Sequence, residues 1–173
     1  MKPSYRRLNS KEKFYLCEFI RPLIPIARDD SHCMRVSARG QISNMMWRWT
    51  ADGFCEKQSA VKWDSIKYNN KLLPATKAAI QRAEETKKNR GLIHEHVVPR
   101  TLLAKKIISE DLKTAEIYEF LTRYCTAVIV TKEKDSRLSK STMPDDWEWN
   151  RDCMFARYRH SLIFDSIIGL EIG

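Results

Sequence analysis

Gly91-Leu92-Ile93-His94-Glu95-His96-Val97-Val98-Pro99-Arg100 is the stretch from which the fold and the chemistry of this chain are both read. Two of the chain's four histidines fall within three residues here and flank a carboxylate. The aliphatic and β-branched residues around them, bounded by Gly91 and Pro99, predict a short strand over 92–98. Side chains alternate along a strand, so His94, His96 and Val98 share one face and Glu95 points to the other. At a strand end the alternation can break, which would let Glu95 and His96 converge on one ion. Histidine and carboxylate are the usual ligands of Zn²⁺, Mn²⁺ or Mg²⁺. A histidine pair on a half-buried strand is equally the pattern of a structural, hydrogen-bonded pair.

Outward from this strand the pattern is mainly helical. Upstream, Pro74 suits the first turn of a helix lined by Ala75, Ala78, Ala79, Ile80 and Ala83. Glu84 and Lys88 form an i,i+4 pair on it, and Asn89-Arg90-Gly91 stops it. Downstream, Thr101 caps a helix running through Ile108. Thr114 caps another through Tyr124, with Ile117, Leu121 and Tyr124 as its apolar stripe. Ala127-Val128-Ile129-Val130 is the second strand, and Thr131 caps a helix from Lys132 to Lys140.

Nearer the N-terminus, Asn9 and Glu12 make a capping box for a helix bearing Phe14 and Cys17, which Pro22 and Pro25 end. Residues Arg28 to Gly40 read as polar and turn-rich. Gln41 to Trp49 reads as helix, as does Ser59 to Tyr68. After a loop over Ser139 to Pro144, Asp145 or Asp146 caps a last helical stretch. The expected fold class is therefore α+β, mostly helical, with a small two- or three-stranded sheet in the C-terminal half. One domain over 1–173 is expected. It comprises a helical part over 1–90, a strand–helix–strand–helix region over 91–140 and a helical segment over 145–170.

The 173 residues carry 31 Lys+Arg against 22 Asp+Glu, a formal charge of +9. That surplus points to an anionic partner. With only 5 glycines the chain lacks G-x-G-x-x-G and the P-loop pattern, which disfavours dinucleotide and P-loop chemistry. G-x-S-x-G is also missing, which disfavours a serine hydrolase. Five cysteines without a C-x-x-C pair support neither structural zinc nor a disulfide framework. No apolar run is long enough to span a bilayer and no apolar signal core follows Arg6-Arg7, so a cytoplasmic protein without a membrane partner is expected. Trp47-Arg48-Trp49, Lys62-Trp63, Lys67-Tyr68 and Arg157-Tyr158-Arg159-His160 interleave cations with rings, as surfaces that hold phosphates and stack bases do.

The Glu95-His96-Val97-Val98-Pro99 string resembles the first motif of the HNH, or ββα-metal, nucleases, in which a strand ends in an acidic residue or histidine followed by histidine, with proline close behind. The resemblance implies a metal-dependent endonuclease cutting phosphodiester bonds in DNA, or in RNA. It implies His96 as the general base, Glu95 as a ligand of a divalent cation, with His94 as a further candidate, and Arg100 on a phosphate oxygen. The family's second half is a strand and then a helix bearing a further ligand. Here Glu133 or Asp135 takes that place, and neither is the family's Asn or His. Acidic residues in a helix's first turn also suit the macrodipole without any metal. Lys132, Arg137, Arg157, Arg159 and His160 join Arg100 as candidate nucleic-acid contacts. The competing expectation is a non-catalytic regulator or inhibitor on the same framework, for example in phage–host defence. It would bind nucleic acid or a protein partner, a second copy included.

Overall fold

A computed structural model describes residues 4–86 and 89–169. Two layers carry the molecule: a group of packed helices and a four-stranded sheet, with a separate three-stranded sheet at the N-terminal end.

The first helix, α1 (Ser10–Ile20), starts as the capping box predicts. The Asn9 side chain accepts from the Glu12 amide at 2.9 Å, and the Glu12 carboxylate accepts from the Asn9 amide at 2.7 Å. Helix α2 (Leu23–Arg28) follows, and then α3 (His32–Ala51). The expected turn-rich segment over Arg28 to Gly40 is thus mostly the first half of a 20-residue helix. Ala38, Ile42, Met46 and Trp49 set its buried stripe at i, i+4, i+8 and i+11. Tertiary burial of that stripe overrides the polar local composition, and Gly40 sits mid-helix with open space about it.

Strand β1 (Tyr5–Arg7) pairs antiparallel with β2 (Gly53–Cys55), which pairs with β3 (Ala60–Lys62). The expected helix over Ser59 to Tyr68 is therefore strand and turn. Its two left-handed residues, Ser59 and Asp64, break any helical continuity. Pro74 does not open a helix either. Ala75–Thr76 is a strand, β4, and α4 (Lys77–Thr86) begins after it, with the Thr76 hydroxyl accepting from the Ala79 amide. Lys88, half of the expected i,i+4 pair, lies outside the described residues.

The two predicted strands pair with each other. Strand β5 (Leu92–His96) runs antiparallel to β6 (Ala127–Thr131) in the register His94↔Ile129 and His96↔Ala127. Between them lie α5 (Arg100–Glu110) and α6 (Thr114–Tyr124), so the hairpin encloses two helices. Pro99 and Lys113 occupy the cap positions expected for Thr101 and Thr114. On α6 it is Glu116, reaching back to the Lys113 amide at 2.7 Å, that satisfies the first turn.

Thr131 caps α7 as expected, its hydroxyl accepting from the Lys134 amide, but α7 spans only Lys132–Asp135. The C-terminal segment is mostly turns, with one short helix, α8 (Ala156–His160), and a last strand, β7 (Ile167–Ile168). The sheet order is β5-β6-β4-β7. β4 and the N-terminal sheet both precede residue 90, so strand is not confined to the C-terminal half.

Among the described residues three cores form. Val128 and Val130 pack with Val97, Leu138, Phe155, Tyr158 and Ile163, and Ile129 packs with Ile66, Leu73, Ala75, Ala79 and Leu92. Val98, just past β5, joins the core of α1, α3, α5 and α6. β6 is buried at all five positions, while β5 forms the outer edge.

Candidate functional site at the edge of β5

Alternation holds to the end of β5. His94 and His96 are buried toward α3, while Glu95 faces the other way and is half-buried. The histidine and carboxylate sides nevertheless meet in one cavity of about 360 Å³. Ile93, His94, Glu95 and His96 all line it. Four consecutive strand residues can border one space only along the strand's open edge, since their side chains point to alternate faces. Trp47, Lys67, Tyr68, Arg100 and Lys140 complete much of the wall.

On the helical side, Trp47 is the organising group. Its indole N–H donates to Asp64 Oδ1 at 2.6 Å. Lys67 Nζ and the Arg100 guanidinium lie 4.7 and 5.0 Å from its ring centre. The His94 ring meets it edge-on at 4.8 Å. Among the described residues neither ring nitrogen of His94 has a hydrogen-bond partner. Burial, aided by the Lys67 charge, lowers the His94 pKa to about 4, so the ring is neutral at pH 7 and keeps a lone pair.

His96 is differently placed. Its Nε2 lies 3.0 Å from Thr50 Oγ1 and 3.4 Å from the Met46 carbonyl. Thr50 spends its proton on the Trp47 carbonyl. Both neighbours of Nε2 therefore accept, which assigns the proton to Nε2. Burial holds this imidazole well below its usual pKa, and His94, once protonated, and the Arg100 charge act the same way.

On the other side, Glu95 Oε1 receives Arg157 Nη2 at 3.0 Å. Arg157 is buried, and its fork also donates to the carbonyls of Val97, His96 and Ser139. The sequence-based placement of Arg157 in an exposed basic patch is corrected. The residue ties the end of β5 to the loop after α7 and cannot reach a nucleic acid. Asp135 is paired with Lys140, yet its Oδ1 is buried and has no hydrogen-bond partner. Tyr158 is fully buried with an unpartnered hydroxyl, and the charges of Glu95 and Asp135 push its pKa further up beyond the effect of burial. Burial raises the Glu95 pKa, Arg157 opposes the rise, and Asp135 adds to it.

The four expected metal ligands do not gather at one point. His94 lies on the helical side, and Glu133 is 68% exposed beside Arg82. Among the described residues no three His, Cys, Asp or Glu side chains come close enough to form a ligand set. Asp135 is not on the cavity wall, and the Glu95 carboxylate that is there fits a hard cation of the Mg²⁺ or Mn²⁺ type, since such ions take much of their shell from water and phosphate oxygens. It does not fit Zn²⁺ held by imidazole, since the two histidines point away from it.

Of the other expected contacts, Arg100 is at the cavity, donating to the Ser43 carbonyl at 3.2 Å. Lys132, Arg137 and His160 are exposed and away from its wall, and Arg159 borders a different cavity. Lys140 was missed by sequence reasoning. It lies in a loop with no periodicity to mark it, and only the fold returns it to β5. No helix among the described residues is long and apolar enough to cross a membrane. No family model matches the chain, and no curated protein or solved structure matches it.

Proposed function

We propose that this protein binds the phosphodiester backbone of nucleic acid, DNA in the first instance, in the cavity at the edge of β5, and hydrolyses it as an HNH-like, metal-dependent endonuclease. The observation that carries this reading is the cavity's lining. A neutral histidine with unpartnered nitrogens, a carboxylate and three cations, Lys67, Arg100 and Lys140, border one cavity of about 360 Å³.

Glu95, on the cavity wall, would hold the divalent cation, and bound there it would offset charge developing on the leaving oxygen. Arg100, stacked on Trp47, presents its guanidinium to a phosphate oxygen. His94 rather than His96 takes the general-base role, because His94 lines the cavity with ring nitrogens that no hydrogen bond occupies while His96 Nε2 is committed to Thr50 and Met46. His96 then fixes the strand against α3.

One observation favours a second reading, binding without cleavage. Arg157 on Glu95 and Lys140 on Asp135 already offset both carboxylates internally. Supercoiled plasmid incubated with Mg²⁺ or Mn²⁺ separates the two. Nicking that is lost in His94→Gln and Glu95→Gln, with DNA binding retained, supports the endonuclease. Salt-sensitive binding with no nicking supports the binder. No binding to DNA or RNA at low salt refutes both.

A further inference from the structure

A second, larger cavity of about 750 Å³ lies where residues 70–74 meet the end of α6 and the start of α8. Its floor includes Leu72, Phe155 and Phe164, and its rim carries Arg7, Lys71, Arg123 and Arg159. Several oriented guanidiniums of this protein face carboxylates, as in Arg6–Glu12, Arg21–Asp111 and Arg151–Asp152. Here they do not. Arg123 is held by the Asn150 side chain at 3.0 Å and its carbonyl at 3.3 Å. Arg159 is held over the Phe164 ring at 4.8 Å. Neutral groups position both, and among the described residues neither has a carboxylate partner. Asp152, the one acid on the wall, is already paired with Arg151 at 3.0 Å. The cavity therefore offers orientated, uncompensated positive charge above an apolar floor, a combination suited to a phosphate with a planar base attached.

This cavity is not isolated from the one at β5. A shallower recess shares Tyr68 with the β5 cavity and shares Asn70 and Lys71 with the larger one. The three cavities thus follow one another along residues 64–74. We propose that the Arg123–Arg159 cavity is a nucleotide subsite, taking the base and phosphate of a nucleotide several positions along the strand whose backbone enters the β5 cavity. The polymer as ligand rests on the function proposed above, but the subsite's recognition of a nucleotide phosphate does not.

Fluorescence anisotropy in EDTA, so that nothing is cut, tests it with labelled single strands of about 4 and about 16 nucleotides, the span of common single-strand site sizes. The variant is Arg123→Gln/Arg159→Gln. Both residues are exposed, and an unchanged urea midpoint shows that folding is kept. The longer strand is expected to lose about tenfold in affinity, with its salt slope shallower by about 1 to 2, while the short strand is unaffected. AMP followed by calorimetry forms a second arm. AMP binding that the variant abolishes, with long-strand binding unchanged, would make free nucleotide the ligand and would overturn the strand path while keeping the subsite. A variant that matches the parent with both ligands overturns the proposal. Arg100→Gln, with no effect on strand binding while the double variant weakens it, would count against the β5 cavity alone.

Discussion

Arg157→Ala should be among the most destabilising single substitutions in this protein. The guanidinium is buried and serves four acceptors: Glu95 Oε1 and the carbonyls of Val97, His96 and Ser139. Truncation leaves the His96 and Val97 carbonyls without that donor at the buried end of β5, at about 1–2 kcal/mol each. The Ser139 carbonyl lies in an exposed loop and regains water. Glu95, with a side chain 17% exposed, loses its charge partner, and protonation limits the cost to about 1 kcal/mol. The sum is about 4 kcal/mol, a large part of the roughly 5–15 kcal/mol that holds a typical domain together. Urea unfolding followed by tryptophan fluorescence measures it. Arg157→Lys keeps the charge but not the fork, so it should recover less than half of the loss. Glu95→Gln, which keeps an acceptor, should cost only about 1 kcal/mol. An Arg157→Ala variant within about 1 kcal/mol of the parent, or a lysine variant as stable as the parent, would refute the account of Arg157 as the buried tie of β5.

Further outcomes follow from the same geometry. Folded His94 titrates at about 4, below the unfolded value near 6.5. Between those values the unfolded chain takes up a proton that the folded chain refuses, so stability falls as pH drops through that window, by up to about 3 kcal/mol from this residue. His96 acts in the same direction. Glu95, whose pKa is raised, offsets part of the fall just above pH 4.5. Urea midpoints at successive pH values check this, and His94→Leu should flatten the slope. Gly53→Ala should cost about 2–3 kcal/mol, since an added Cβ would lie 2.6 Å from Ile66 Cγ2 and 2.9 Å from the Arg6 carbonyl. Asn9→Ala should cost about 1 kcal/mol through loss of the α1 cap, measured in the same way.

The local signals in the sequence that have a one-dimensional cause were legible. The capping box at Asn9 and Glu12, the alternation at His94, Glu95 and His96, and the Thr131 cap each depend on neighbours a few residues away. The helix over Gln41 to Trp49 was legible from Ile42, Met46 and Trp49, but the polar first half of α3 was misread because Ala38 alone extends that buried stripe into it. The strand at Ala75–Thr76 was hidden behind Pro74, since two residues give no period to detect, and its pairing with Ile129 is set only in the fold. Arg157 and Lys140 show the limit for the site. Arg157 reads as a surface cation in sequence and Lys140 as no more than a helix end, and only tertiary structure shows one buried beneath β5 and the other closing on Asp135. Trp47 and Lys67 were flagged as part of a diffuse basic and aromatic surface, yet their place beside the histidines depends on α3 crossing β5.

The most direct test of the β5 cavity is the salt dependence of duplex DNA binding by the parent protein and by Arg100→Gln, measured side by side without divalent metal. The account predicts binding that weakens steeply with salt, and a variant whose log–log slope is shallower by about 1, one phosphate contact fewer. Identical affinity and slope for the two proteins would contradict it, as would an absence of binding at low salt.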